Sequence, residues 1–116
     1  MKKNKFSKNW VIKQKRDIYV KQSKIEGYRS RAVYKLKEIN EKIKILKNGI
    51  SILDLGAAPG SWSQFVSRNF KNSKIASIDL KEMEKIENIN QIKGDFTDEL
   101  QQKKIFDYFG GKIDTI

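Results

Sequence analysis

Asp54, Gly56, Gly60, Ser61 and Trp62 share the run Ile52-Leu53-Asp54-Leu55-Gly56-Ala57-Ala58-Pro59-Gly60-Ser61-Trp62-Ser63-Gln64, whose order of residue types suits a nucleotide-cofactor cradle. Ser51 to Leu55 has buried-strand character. A Gly/Ala/Pro turn follows, and an amphipathic helix opens through Phe65, Val66 and Phe70. Gly56 permits the sharp turn, and Gly60 lets the backbone come close to a ligand. Amides at a helix N-terminus favour a carboxylate there. The spacing is not that of a dinucleotide site. Gly56-x-x-x-Gly60 departs from G-x-G-x-x-G, and Pro59 removes an amide that a pyrophosphate would use. Asp54 either orders the loop by capping its amides or meets a ligand ammonium through water.

Two more carboxylates follow strand-like segments. Asp79 ends the second of them, where a carboxylate can accept both hydroxyls of a ribose. Asp95-Phe96 follows the third; a carboxylate accepts from an adenine amino group, and a ring stacks on the base face. The same pair could equally be a helix cap and a core Phe. Lys35 sits at the edge of an apolar stripe. A lysine held near apolar surface and another cation loses basicity and can position or deprotonate a hydroxyl; a lysine that merely snorkels there is also common. Arg29 and Arg31 stay protonated, which suits phosphate contacts better than proton transfer. With no His in the chain, a general base must be Lys, Asp, Glu or Tyr.

These residues need a scaffold, and the pattern supplies one. Residues 1–9 read as a flexible arm. A short helix is expected over 17–25, capped by Asp17 and stopped at Gly27. Tyr28, Ala32, Leu36, Ile39 and Ile43 fall on one stripe of a helix over 29–46. Strands are expected at 50–55, at 74–78 ending in Asp79, at 90–93, and from Lys112 to Ile116. Helices follow at 61–70 and, capped by Thr97 or Asp98, up to Phe109. Residues 80–90 form a polar connection with room for one helical turn. Alternating strands and helices imply an α/β fold with a parallel sheet and right-handed crossovers.

A chain of 116 residues allows one domain with a modest core. No apolar run approaches the roughly 18 residues of a membrane span. The basic N-terminus lacks the apolar stretch of a secretory signal. No Cys is present, so disulfides and thiolate metal sites are excluded, and a cytoplasmic location is expected. The net charge is +11, unevenly placed: residues 1–47 carry 16 Lys and Arg against 4 Asp and Glu, whereas residues 48–116 carry 9 against 10. The division expected is a basic helical extension over 1–47, facing a polyanion, and a cofactor half over 48–116. A lysine-rich composition explains part of that charge without any partner.

Asp54-Leu55-Gly56-Ala57-Ala58-Pro59-Gly60-Ser61-Trp62-Ser63-Gln64 resembles the S-adenosylmethionine loop of the FtsJ/RrmJ (RlmE) family of rRNA 2′-O-ribose methyltransferases. Gly27-Tyr28-Arg29-Ser30-Arg31-Ala32-Val33-Tyr34-Lys35-Leu36-Lys37-Glu38-Ile39 resembles the family's second signature, and Gly94-Asp95-Phe96 its G-D-F motif. The resemblance covers essentially the whole chain, as the N-terminal part of a family member. It implies a Rossmann-like methyltransferase fold, truncated after the fourth strand. It implies S-adenosyl-L-methionine as cofactor, bound by Gly56, Gly60, Ser61, Trp62, Asp79, Asp95 and Phe96. Lys35 would be the first member of a Lys-Asp-Lys-Glu tetrad, and the other three members lie beyond the sequence. The implied reaction is methyl transfer to a ribose 2′-oxygen of an A-loop uridine in large-subunit rRNA within the ribosomal particle. A monomer needing no metal and no membrane is expected, with Arg29 and Arg31 on the RNA.

Two other readings stay open: an inactive remnant with residual RNA or cofactor affinity, and a nicotinamide-dependent Rossmann enzyme. The absent third glycine disfavours the latter. Pro59 is the only proline, so the Asn/Asp-Pro-Pro-aromatic motif of amine methyltransferases is missing. By itself the chain is expected to be poorly stable and catalytically silent. RNA affinity should reside in residues 1–47 and fall with salt, with a log–log slope of about −0.7 per neutralised phosphate on single strands. Deleting residues 1–25 should flatten that slope in filter binding. Salt-independent binding, or binding that survives the deletion intact, would contradict it.

Overall fold

The computed structural model describes the backbone of residues 3–116 and the side chains of residues 8–116. The elements run α1 (Lys3–Glu26), α2 (Val33–Ile43), β1 (Ser51–Leu55), α3 (Ser61–Asn69), β2 (Lys74–Asp79), β3 (Ile89–Lys93) and α4 (Glu99–Phe109). β2 lies between β1 and β3, and both pairings are parallel. Ser51 pairs with Lys74 and Leu55 with Ile78; Ile75 pairs with Ile89 and Asp79 with Lys93. In that register the three strands end along one edge, and the turns that leave them lie side by side.

Strand periodicity sorts the side chains between two faces. Ile52 and Ile75 join Val33, Leu36, Leu46, Ile50, Phe65 and Val66 under α2 and α3. Leu53, Ala76 and Ile78 join Ile105 and Phe109 under α4. Val33 and Leu36 are therefore core residues of the same cluster as β1 and β2. The expected α/β class and parallel sheet are both present.

Several boundaries differ from the sequence reading. The arm and short helix are one 24-residue helix; Met1 and Lys2, the start of that arm, lie outside the described residues. Nothing from Lys3 to Glu26 breaks a helix, and Gly27 at φ +78° ends it. Asp17 is consequently mid-helix and caps nothing. α2 is shorter than its stripe. Arg29 to Ala32 turn instead of coiling, and Lys44 takes the left-handed conformation while Leu46 N–H donates to Asn40 Oδ1. Ile43 is left 67% exposed. Residues 80–88 contain no helical turn. Asp98, not Thr97, caps α4 by accepting from Leu100 N–H. At the chain's end, Thr115 makes one parallel bridge to Ile52 on the free side of β1 rather than a strand; the contact is supported by Leu53 N–H to Thr115 O and Ser51 N–H to Asp114 Oδ2.

Leu53 is 2% exposed and sits in the middle of β1 against the α4 cluster. Leu53→Ala should cost about 2–5 kcal/mol, because the removed methyls leave a cavity that a strand cannot close. Urea unfolding reads this; a loss near zero would mean that the α4 face is not packed as described.

Candidate functional site

The turn after β1 is fastened to the end of β2. Gly56 and Ala57 N–H both donate to Ile78 O, at 2.9 and 3.2 Å. Ala58 N–H donates to Asp79 Oδ2 at 2.9 Å, and Lys81 N–H to Asp79 Oδ1 at 2.8 Å. Those two amides, Lys81 first, hold the Asp79 carboxyl below its ordinary value. Each carboxylate oxygen keeps further lone-pair capacity.

Beside Asp79 a cavity of about 240 Å³ opens among Leu55, Gly56, Ile78, Leu80, Gly94 and Phe96. Gly56 has φ +65°, and a Cβ there would meet nothing within 4 Å. Only glycine tolerates that conformation cheaply, and the space above it stays open. Phe96 is 37% exposed at the cavity and not in the core. A mostly apolar slot with one carboxylate at its edge and a ring on its wall has the chemistry to take a nucleoside. Asp95 stands just outside it. Its Oδ1 accepts from Thr97 N–H and Oγ1, which lowers its pKa and builds the turn into α4.

Other candidates are placed differently. Gly60, at φ +111°, gives its Cβ space to Ile86: an added Cβ would stand 2.8 Å from Ile86 Cδ1. The close approach seen there is to the neighbouring loop. Ser61 is buried, its hydroxyl 2.9 Å from Ser30 Oγ. Trp62 Nε1 donates to Ala32 O at 2.7 Å and ties the starts of α2 and α3 together. Asp54 accepts from Ser63 Oγ at 2.7 Å, while the loop amides it was expected to cap go to Ile78 O and Asp79. Burial raises the Asp54 pKa, against the opposing effect of Ser63. Lys35 and Arg31 are exposed on the solvent side. The guanidinium of Arg29, the other residue expected on RNA, donates to Pro59 O, Glu84 O and Lys85 O.

The sequence reading missed the groups that hold these loops. Ser77, fully buried in β2, lies 2.6 Å from Ser63 Oγ and extends the chain from Asp54 inward. Its signal was a lone hydroxyl within Ile75-Ala76-Ser77-Ile78. Gln64 Oε1 accepts from Arg29 N–H, and Arg68 donates to Glu26 O and Gly27 O while stacking on Tyr28. Gln91 fastens residues 84–86. Among the described residues no group of three or more acidic, His or Cys side chains could hold a metal, and no helix is long and apolar enough to cross a membrane.

Residues 28–116 match the family described as FtsJ-like methyltransferase. Over its whole length the chain is 63% identical to ribosomal RNA large subunit methyltransferase E of Pelagibacter ubique (strain HTCC1062), covering 57% of that protein. It is 45% identical to the protein of the same name from Legionella pneumophila (strain Corby), over 85% of this chain and 48% of the relative. A crystal structure of a ribosomal RNA methyltransferase from Plasmodium falciparum superposes with a TM-score of 0.61 at 38% identity, covering 69% of this chain and 48% of that one. The chain thus spans about half the length of the curated relatives it matches.

The two aspartates near the ends of β1 and β2 should act on stability with opposite sign. Asp54 has a folded pKa above its ordinary 3.8, so wild-type stability falls as pH rises from 3.8 through the folded value. Asp54→Asn carries no proton to lose, and its curve should lack that descent. Asp79 has a folded pKa below 3.8, so its contribution is present above 3.8 and lost as pH falls through the folded value. Asp79→Asn should remove that acid-side loss. Urea midpoints from about pH 3 to 7 read both effects; superimposable curves for wild type and Asp54→Asn would refute the burial account.

Proposed function

The chain belongs to the FtsJ-like methyltransferase family, and on that premise we propose that its β-strand edge binds S-adenosylmethionine for methylation of large-subunit rRNA. The observation that carries this reading is the cavity beside Asp79, with Gly56 open beneath it and Phe96 on its wall. When bound, the cofactor supplies an electrophilic methyl group. Asp79 accepts the ribose hydroxyls with the lone pairs its two amides leave free. Phe96 and Leu80 cover the adenine faces, and Asp95 Oδ2 accepts from the exocyclic amine. The amides of Gly60, Ser61 and Trp62, at the uncapped start of α3, take the methionine carboxylate. Gly60 and Ser61 serve through their backbone, since Ile86 and Ser30 occupy the space at their side-chain positions.

On the RNA side, the proposed acceptor is a ribose 2′-hydroxyl of an A-loop uridine, presented by the ribosomal particle in the cytoplasm. Lys35 positions that hydroxyl and favours its deprotonation through its charge. Arg31 is the proposed phosphate contact, within the basic segment 1–47 that faces the RNA. The segment has two functions by this proposal, since its α2 portion also covers the sheet.

Calorimetric titration with S-adenosylhomocysteine tests the cofactor half. Asp79→Ala removes a charge-assisted acceptor and should weaken binding by roughly 1.5–3 kcal/mol. Unchanged affinity would remove Asp79 from the site, and no binding by the wild type would remove the reading. Tritiated-methyl incorporation into undermethylated large subunits, against a Lys35→Ala control, separates an active enzyme from a chain that only binds.

A further inference from the structure

The Arg29 guanidinium joins two segments that are far from it and from each other in the chain. Nη1 donates to Pro59 O at 3.0 Å and to Glu84 O at 2.6 Å, and Nη2 donates to Lys85 O at 2.9 Å. Its own N–H donates to Gln64 Oε1 on α3 at 2.9 Å. The three carbonyls belong to two segments that flank the proposed cofactor cavity. One is the turn before α3. The other is residues 80–88, which have no regular secondary structure and begin next to Asp79.

The second segment is held from its far side too. Gln91 Nε2 donates to Glu84 O, and Ile86 N–H donates to Gln91 Oε1, both at 2.9 Å. Ile86 then fills the space that a side chain at Gly60 would need. Glu84 to Ile86 are thus held between a guanidinium and a carboxamide, with the cofactor turn against Ile86. A guanidinium reaches several carbonyls at once because its N–H groups form a rigid planar fork; an ammonium is a single point charge. The carbonyls it meets are exposed, so after its removal they can bond to water. Folding stability then changes little, and what is lost is geometry.

We infer that Arg29 is a positioning residue, which sets affinity for the adenosyl cofactor by locking the Pro59 turn to residues 84–86. This rests on the cofactor site proposed above. Its role differs from a phosphate contact in a measurable way. A phosphate contact keeps much of its effect as lysine and contributes to the salt slope; a lock of three carbonyls does neither.

The test uses the whole chain with Arg29→Ala, Arg29→Lys and Gln91→Ala. Hydrogen exchange of the unliganded proteins reads the Ala58 and Ile86 amides, which are bonded to Asp79 and Gln91. Titration with S-adenosylhomocysteine reads the consequence. Arg29→Ala and Gln91→Ala should speed exchange at both amides and weaken binding about tenfold, and Arg29→Lys should not restore either. The RNA salt slope should stay at its wild-type value. Unaltered exchange, full rescue by lysine, or a slope reduced by about 0.7 with cofactor affinity intact would overturn the inference. Should the wild type bind no S-adenosylhomocysteine, the cofactor reading fails, and exchange still decides whether the lock exists.

Discussion

The turn that leaves β1 cannot satisfy its own amides, and the rest of the site depends on how β2 does so. Three successive N–H groups, from Gly56 to Ala58, find acceptors at Ile78 O and Asp79 Oδ2. An unpaired amide in a partly buried turn costs about 1–3 kcal/mol, so these bonds are obligatory rather than decorative. They fix the turn against the neighbouring strand. They bring Asp79 to the lip of the cavity and leave Gly60 close enough to Ile86 that no side chain fits between them.

Polar groups under that turn carry a tension that the pKa directions expose. Asp54 sits half-buried on the α3 face, with Ser63 donating to it and Ser77 behind Ser63. The hydrogen bond favours the charged form and burial disfavours it; burial wins, since the pKa is raised. Asp79 shows the reverse balance, with two backbone donors and little burial. Two carboxylates near the ends of adjacent strands thereby titrate in opposite directions from their ordinary value. Asp54 ties β1 to Ser63 in the first turn of α3. Asp79 stays charged and available at the cavity.

The connection from α1 to α2 is fastened to α3 almost entirely by side chain to backbone bonds. Gln64, Arg68 and Arg29 together reach Glu26, Gly27, Arg29 and Pro59. Ser30 with Ser61, and Trp62 with Ala32, complete the seam. Behind it α1 meets α2 through Tyr19 stacked on Tyr34 at 5.2 Å, and Tyr34 donates to Glu26. The tyrosine pKa rises to about 12 from burial and that carboxylate. The segment that carries Arg31 and Lys35 therefore cannot move independently of the turn that is proposed to hold the cofactor.

Much was legible in the residues alone. Periodicity placed the three strands and α3 within about a residue of where they lie, because alternation and glycine turns are local signals. Asp79 at a strand end and the open Gly56 were readable for the same reason. α1 was misjudged because its many exposed positions give no stripe, and no Gly or Pro from Lys3 to Glu26 interrupts it. The expected helix over 29–46 was cut short at its start by contacts from α3 and at its end by a local cap, with Lys44 left-handed and Asn40 Oδ1 holding Leu46 N–H. Arg29 shows the limit most clearly. An arginine beside a basic helix reads as a phosphate contact, and nothing in its neighbours says otherwise. Its three carbonyl partners lie 30, 55 and 56 residues away, and backbone carbonyls leave no trace in residue type. The local sequence thus determined the elements and the acids at their ends; only the tertiary fold brought Pro59 and Glu84 to one guanidinium, because those contacts join residues far apart in the chain.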